Sequence, residues 1–210
     1  MPGHSTALRL AIGQTRMHWT IEGNLAEMLS ALRLAKREGA EACVFPELAL
    51  PGFHRQIASL AKPHLIEPAV GAIRAECARL SMAAAFGVPT FGPAGLRNSY
   101  LFLSNTGDPS GLVHKNGLTA PEASFFARGT DRPVTRFCGV RTSAIICREI
   151  EDEDPVCSQL DDQDAQLVLW PGQMRPDPDR PASDPPEHVA QAQRLAARIG
   201  AYVVQANWPN

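Results

Sequence analysis

The sequence predicts an α/β fold built on mixed sheets, and three observations carry that prediction. Short apolar runs alternate with stretches whose apolar residues recur at helical spacing. Glycines stand where those helical stretches stop. In the middle of the chain two pairs of apolar runs are joined by turn residues, so antiparallel hairpins interrupt the parallel pattern.

In chain order, Leu8 to Ile12 is a short apolar strand. Leu25, Met28, Leu29, Leu32 and Ala35 then mark one face of a helix that Gly39 ends. Ala42 to Phe45 is a second strand. Val70, Ile73, Cys77 and Leu80 mark a second helix, followed by a strand over Ala83 to Val88. YLFLSNTGDPSGLVHK reads as two strands around an Asn/Gly/Asp turn, and VTRFCGVRTSAIIC as two more around Cys138 and Gly139. Leu167 to Trp170 is an apolar strand, Val189, Ala192, Leu195, Ala196 and Ile199 share a helix face closed by Gly200, and AYVVQA is the last strand. Between Trp170 and Glu187, PGQMRPDPDRPASDPP has six prolines in sixteen residues. That composition fits a domain linker or an extended surface loop; the flanking elements look like consecutive pieces of one α/β layer, which favours the loop, and such loops often flank active sites. No repeat or domain boundary is visible, so residues 1–210 read as one domain.

Composition narrows the chemistry. With 44% hydrophobic, 20% charged and 6% aromatic residues the chain is an ordinary globular protein, long enough for a sizeable core. A net charge of -2 with no basic cluster argues against a nucleic-acid partner. No secretory leader and no apolar run of membrane-spanning length is present, so a cytoplasmic protein is expected. Five cysteines, an odd number without a CxxC pair, and histidines without metal-ligand spacing support neither a disulfide framework nor a zinc site. Cys43 and Cys77 read as core residues, and Cys138 and Cys157 as loop or edge residues.

Cys147 differs from the others. In SAIICREIEDEDP a strand delivers it to a turn next to a dense acidic stretch. A nucleophile needs that placement, held by a sheet yet within reach of solvent. A thiol also needs a proton acceptor. His114 is the histidine best placed to serve, and a Cys-His hydrolase is one alternative. Glu47, in VFPELALPGF, follows an apolar strand directly and is stiffened by Pro46 and Pro51. Partial desolvation there raises a carboxyl pKa and lets it exchange protons near neutrality. Lys115, in LVHKNGL, ends another strand, where an ammonium stabilises an oxyanion. Strand ends on one side of a sheet converge in space, so acid, lysine and cysteine are expected to meet.

These residues resemble the nitrilase superfamily of carbon-nitrogen hydrolases over nearly the whole chain. LRLAIGQT is similar to the family's opening strand, FPELALPGF to its glutamate motif, HKNGLTAPEASFFARG to its lysine motif and SAIICREI to its cysteine elbow. The resemblance implies a four-layer α-β-β-α sandwich, a homodimer or larger homo-oligomer, and no metal or organic cofactor. It implies Glu47 as general base, Cys147 as nucleophile and Lys115 as the oxyanion cation, with Glu122 orienting Lys115 or the substrate. Phe125 and Phe126 read as packing residues. The implied reaction is hydrolysis of a small amide or carbamoyl compound through a cysteine thioester, in preference to a nitrile. Acyl transfer, or a catalytically silent subunit, are the alternatives.

Two departures stand out. Arg148 occupies the position after the nucleophile, where the family more often has an aromatic residue. It either reads an anionic substrate or pairs with Glu149, Glu151 or Asp152 at the surface. The chain also stops at QANWPN, where family members continue through further strands, so the family's C-terminal strands are expected to be missing.

Overall fold

Alternation of side chains along the strands sets the layering, because neighbouring residues on one strand point to opposite faces. A computed structural model of the chain describes residues 7–54, 57–174 and 187–209. The first sheet contains β1 (Leu10–Ile12), β2 (Ala42–Val44), β3 (Ala83–Gly92), β4 (Gly95–Leu103) and β5 (Pro109–His114), in that spatial order. β1, β2 and β3 are parallel, and β3, β4 and β5 antiparallel. The second sheet contains β6 (Thr135–Phe137), β7 (Val140–Ala144), β8 (Leu167–Gly172) and β9 (Tyr202–Asn207), with β6 antiparallel and the other three parallel. Both sheets are mixed, as expected from the sequence.

Helices α1 (Ile21–Arg37) and α3 (Pro63–Leu80) cover the first sheet, with the short α2 (Ile57–Leu60) between them in sequence. Helices α4 (Glu153–Leu160) and α5 (Glu187–Ile199) cover the second. Cys43, Ala84, Phe86 and Val88 face α1 and α3, packing on Met28, Leu32 and Ile73. The alternate residues Ala42, Val44, Ala83 and Ala85 face the second sheet, meeting Ala144, Ile146, Leu167 and Leu169. On the far side of the second sheet, Ile145, Val168 and Trp170 pack on Val156, Leu160 and Leu195. The result is four layers, α-β-β-α. Many of the inter-sheet residues are alanines, which leaves room for Tyr100, Phe102 and Phe137. Their rings cross edge-to-face with centroids 5.5 Å apart, a favoured aromatic geometry.

Local signals in the sequence act as expected. Gly39 and Gly200 adopt positive φ, at 80° and 66°, just past α1 and α5. Cys138 and Gly139 both have positive φ, 51° and 81°, which joins β6 to β7 in a two-residue hairpin. Three differences have physical causes. The acidic run after Cys147 enters α4, where Glu153 and Asp154 occupy the first turn, next to the positive end of the helix dipole. Cys157, expected in a loop or at an edge, is buried on the inner face of α4 with Val156 and Leu160. The strand predicted over residues 167–170 continues through Pro171 and Gly172, both paired with β9; the remainder of the proline-rich stretch, residues 175–186, lies outside the described residues.

Gly87 places the loop after β2. A Cβ there would lie 2.0 Å from the backbone nitrogen of Leu48 and 2.6 Å from the carbonyl carbon of Glu47. Strand β3 and that loop therefore touch backbone to backbone, with the Gly87 N–H donating to the Pro46 carbonyl at 3.2 Å. Replacing Gly87 by Ala is expected to cost at least about 3 kcal/mol, since neither contact is the flexible end of a side chain. Urea denaturation checks this, and a loss below about 1 kcal/mol would contradict the packing described.

Candidate active site

Glu47 lies three residues beyond the end of β2 and is fully buried. The chain turns immediately after it, with Leu48 in the left-handed region at φ 49°. Glu47 Oε1 accepts hydrogen bonds from Lys115 Nζ and Asn98 Nδ2, both at 2.7 Å. Its other oxygen, Oε2, is buried without a hydrogen-bond partner among the described residues. The backbone carbonyl of Glu47 accepts from the Trp208 indole at 2.9 Å.

Lys115 directly follows β5, and its own N–H is fixed to the Asn98 carbonyl of β4 at 2.8 Å. Its ammonium is 1% exposed and reaches two carboxylates, Glu47 and Glu122, each at 2.7 Å. Glu122 begins a single 3-10 turn (Glu122–Ser124), and its second oxygen accepts from the Thr119 N–H and hydroxyl, each at 2.9 Å. An ammonium has three donors, and the third is not taken by any described residue.

Cys147 stands where β7 has run out through Ile145 and Ile146, at the start of a second 3-10 turn (Cys147–Glu151). Its φ is 55°, a left-handed conformation that disfavours a residue carrying a Cβ. The surroundings hold that conformation in place. The Trp170 indole donates to the Cys147 carbonyl at 2.9 Å, and a Cβ on Gly172 would come within 3.3 Å of the Cys147 Cα. The thiol faces the Glu47 carboxylate and the backbone N–H of Gln173.

The charges bear on which protonation states are available. Burial, and then the Glu47 anion, push the Cys147 thiol up to about 12, against smaller lowering effects from Lys115 and the Gln173 N–H. Burial also raises Glu47, a shift that Lys115 and Asn98 reduce but do not cancel. For Lys115, burial pulls the pKa down, but Glu47, Cys147 and Glu122 outweigh it and keep the ammonium charged. Glu122 is also raised by burial, yet Lys115 and Thr119 bring it below its ordinary value. At neutral pH the sulfur is thus a thiol beside a carboxylate of raised basicity.

The structure brings Glu47, Lys115, Cys147 and Glu122 to one place, as the sequence led one to expect. Arg148 is the exception. Its guanidinium turns onto Asp152, with two contacts at 3.1 Å, and onto Glu151 at 3.6 Å. That is the surface pairing anticipated as one of its two roles, because an acid one helical turn away offers a bidentate partner. Glu149, grouped with the surface acids in the sequence, instead points inward and is fully buried. It pairs with the buried Arg132 at 3.1 Å and accepts the N–H groups of Asn116 and Gly117 from the loop after Lys115, at 2.5 and 2.9 Å, and of Ile146 at 2.5 Å. Arg132 also donates to the Ala144 carbonyl. Asn98, Arg132, Glu149 and Trp208 were not picked out from sequence. None of the four carried a signal in the sequence that set it apart from its neighbours.

His114, the alternative base, bonds through Nδ1 to Ser99 at 2.8 Å and is not among the groups acting on Cys147. Among the described residues no group of His, Cys, Asp or Glu is placed to hold a metal ion, and no helix is long and apolar enough to cross a membrane.

The sequence model of the carbon-nitrogen hydrolase family matches residues 9–208. The chain belongs to the carbon-nitrogen hydrolase family. It is thus an enzyme of the carbon-nitrogen hydrolase kind. No curated protein matches the sequence. Among solved structures this carbon-nitrogen hydrolase is similar to an amidase from Nesterenkonia sp., with a TM-score of 0.80 at 23% identity over 96% of this chain and 76% of that one. A double mutant of that Nesterenkonia amidase in complex with acrylamide superposes with a TM-score of 0.81 at 22% identity, covering 99% of this chain and 79% of the other. A further mutant carries the acetamide moiety of fluoroacetamide covalently on its active-site cysteine, with a TM-score of 0.81 at 22% identity over 98% and 78% of the two chains. At these identities the likeness is one of fold.

Proposed function

We propose that this carbon-nitrogen hydrolase cleaves the C–N bond of an amide or carbamoyl compound, with Cys147 as nucleophile, Glu47 as general base and acid, and Lys115 holding the oxyanion. The observation that carries the reading is the convergence of a thiol, a carboxylate with an unpartnered buried oxygen, and an ammonium with one donor to spare. The structural neighbours named above, amidases by description, support the substrate class.

Each group has a step. As the thiol attacks the carbonyl carbon, its proton passes to Glu47, which avoids forming a free thiolate of high pKa. The C–S bond forms and the carbonyl pair moves to oxygen, facing Lys115 and the Arg148 backbone N–H. When that pair returns, the C–N bond breaks and Glu47 gives its proton to the departing nitrogen. Ammonia or an amine leaves behind a thioester. Glu47 then takes a proton from a water whose oxygen adds to the thioester carbon; as the C–S bond breaks Glu47 returns that proton to the sulfur, and a carboxylic acid and the free thiol remain. Glu122 positions Lys115 throughout.

Alkylation of the native protein near pH 6 with a limiting thiol reagent tests the machinery before any substrate is known. Cys43 and Cys77 are buried and, like Cys147, pushed up to about 12, so only an assisted thiol reacts fast. Rapid labelling confined to Cys147, slowed about tenfold or more in Glu47→Gln, is the expected result. Labelling no faster at Cys147 than at exposed Cys138 would point to a catalytically silent subunit.

A further inference from the structure

We infer that the favoured substrates are amides whose acyl part is bulky, apolar and uncharged, seated in the cavity beside Glu122; this rests on the catalytic reading just given. That cavity has a volume of about 540 Å³. Its apolar wall is supplied by Leu48 and Phe53 from the loop after Glu47, Ile57 at the start of α2, Phe125 and Phe126 from the stretch after Lys115, and Met17, with the exposed Trp19 at the rim. Phe126, read from sequence as a packing residue, packs on Leu48 and Ile57 and lines the cavity as well.

The cavity is tied to the reacting groups from two sides. Glu122, in its wall, accepts from Lys115 at 2.7 Å, and the backbone N–H of Gln173, also in the wall, lies near enough to the Cys147 thiol to lower its pKa. Glu47, Lys115 and Cys147 are not themselves in its wall, so it is the acyl substituent, and not the reacting carbonyl, that would sit among the aromatic rings. Acetamide would leave most of this space to water. A chain of several methylenes or a phenyl ring would exchange that water for apolar contact.

Charge sets the second limit. Among the described residues lining the cavity there is no lysine or arginine, and the ionised carboxylate of Glu122 faces it. Burial lowers the His54 pKa, so that ring is neutral at pH 7. The nearby cation that the sequence offered for an anionic substrate, Arg148, is engaged with Asp152 and Glu151. A carboxylate on the acyl chain would thus meet no lysine or arginine among the described lining residues and would be repelled by Glu122.

The test compares kcat/KM of the wild-type protein for acetamide, hexanamide, phenylacetamide and succinamate, together with calorimetric binding of the same four to Cys147→Ala. Hexanamide and phenylacetamide are expected to exceed acetamide by about 30-fold or more in both measurements, with succinamate below acetamide. Phe125→Ala should lower the phenylacetamide-to-acetamide ratio about tenfold. Turnover of acetamide that depends on Cys147, with no gain for the larger amides or with succinamate preferred, would overturn this inference alone. Turnover of none of them, with tight phenylacetamide binding to Cys147→Ala, would overturn the catalytic reading and support the ligand class assigned to the cavity.

Discussion

Cys147→Ala is expected to lose turnover by about 10⁴-fold or more while keeping its melting temperature within a few degrees of the parent. The replacement removes only the sulfur. It keeps the Cβ, so the strained backbone at φ 55° is neither relieved nor worsened, and the Trp170 bond to the residue's carbonyl survives. Glu47→Gln should fall nearly as far, because the thiol then has no acceptor for its proton and the departing nitrogen no donor. The acid limb of the wild-type pH profile belongs to the same carboxyl. In its proposed role Glu47 must be deprotonated, and its pKa is raised by burial, so activity should fall with decreasing pH at a point above the ordinary glutamate value. Purified protein assayed for ammonia release across pH settles both. Full activity in Cys147→Ala would end the assignment.

Glu149→Ala is expected to be the most damaging substitution away from the reacting atoms. Arg132 and Glu149 are each 1% exposed at their side chains, so removing the carboxylate leaves a guanidinium in the interior without its counter-ion. Breaking one partner of a buried pair costs about 3–5 kcal/mol. Three backbone N–H groups, of Asn116, Gly117 and Ile146, also lose their acceptor. Two of them belong to the loop carrying Lys115 and one to the elbow carrying Cys147. Urea denaturation reads the stability loss, and a value under about 1 kcal/mol would contradict it. Glu149→Gln, which keeps the shape and one carbonyl oxygen, should fold better yet still alkylate Cys147 more slowly than the parent. That second readout separates positioning from mere stability.

Much of this molecule is legible in its sequence because the signals are local. Apolar alternation and glycine stops located the strands and the long helices, and strand-end placement located Glu47, Lys115 and Cys147 without any knowledge of distance. Other features were illegible for a definite reason. Glu149 sits among Glu151, Asp152, Glu153 and Asp154, and nothing in a run of acids says which one points inward. The partner that decides it, Arg132, lies 17 residues away in a stretch with no periodic pattern. Cys157 was misplaced by the same run, since the acids that open α4 conceal the inward face made by Val156, Cys157 and Leu160. Asn98 is simply one polar residue in a strand until β5 sets it beside Lys115.

The indole of Trp208 binds the carbonyl of Glu47 across 161 residues of sequence. That single bond has a kinetic meaning. Strand β9, which leads to Trp208, pairs among the described strands with β8 alone, and Glu47 belongs to the loop after β2 in the opposite sheet. The loop that carries the proposed general base is therefore fully tied down only after both sheets have formed and closed on each other, a closure of high contact order that comes slowly. A chain halted with either sheet alone could have native-like strands and helices, yet it would lack a working centre. Recovery of activity on refolding should accordingly trail the return of secondary structure.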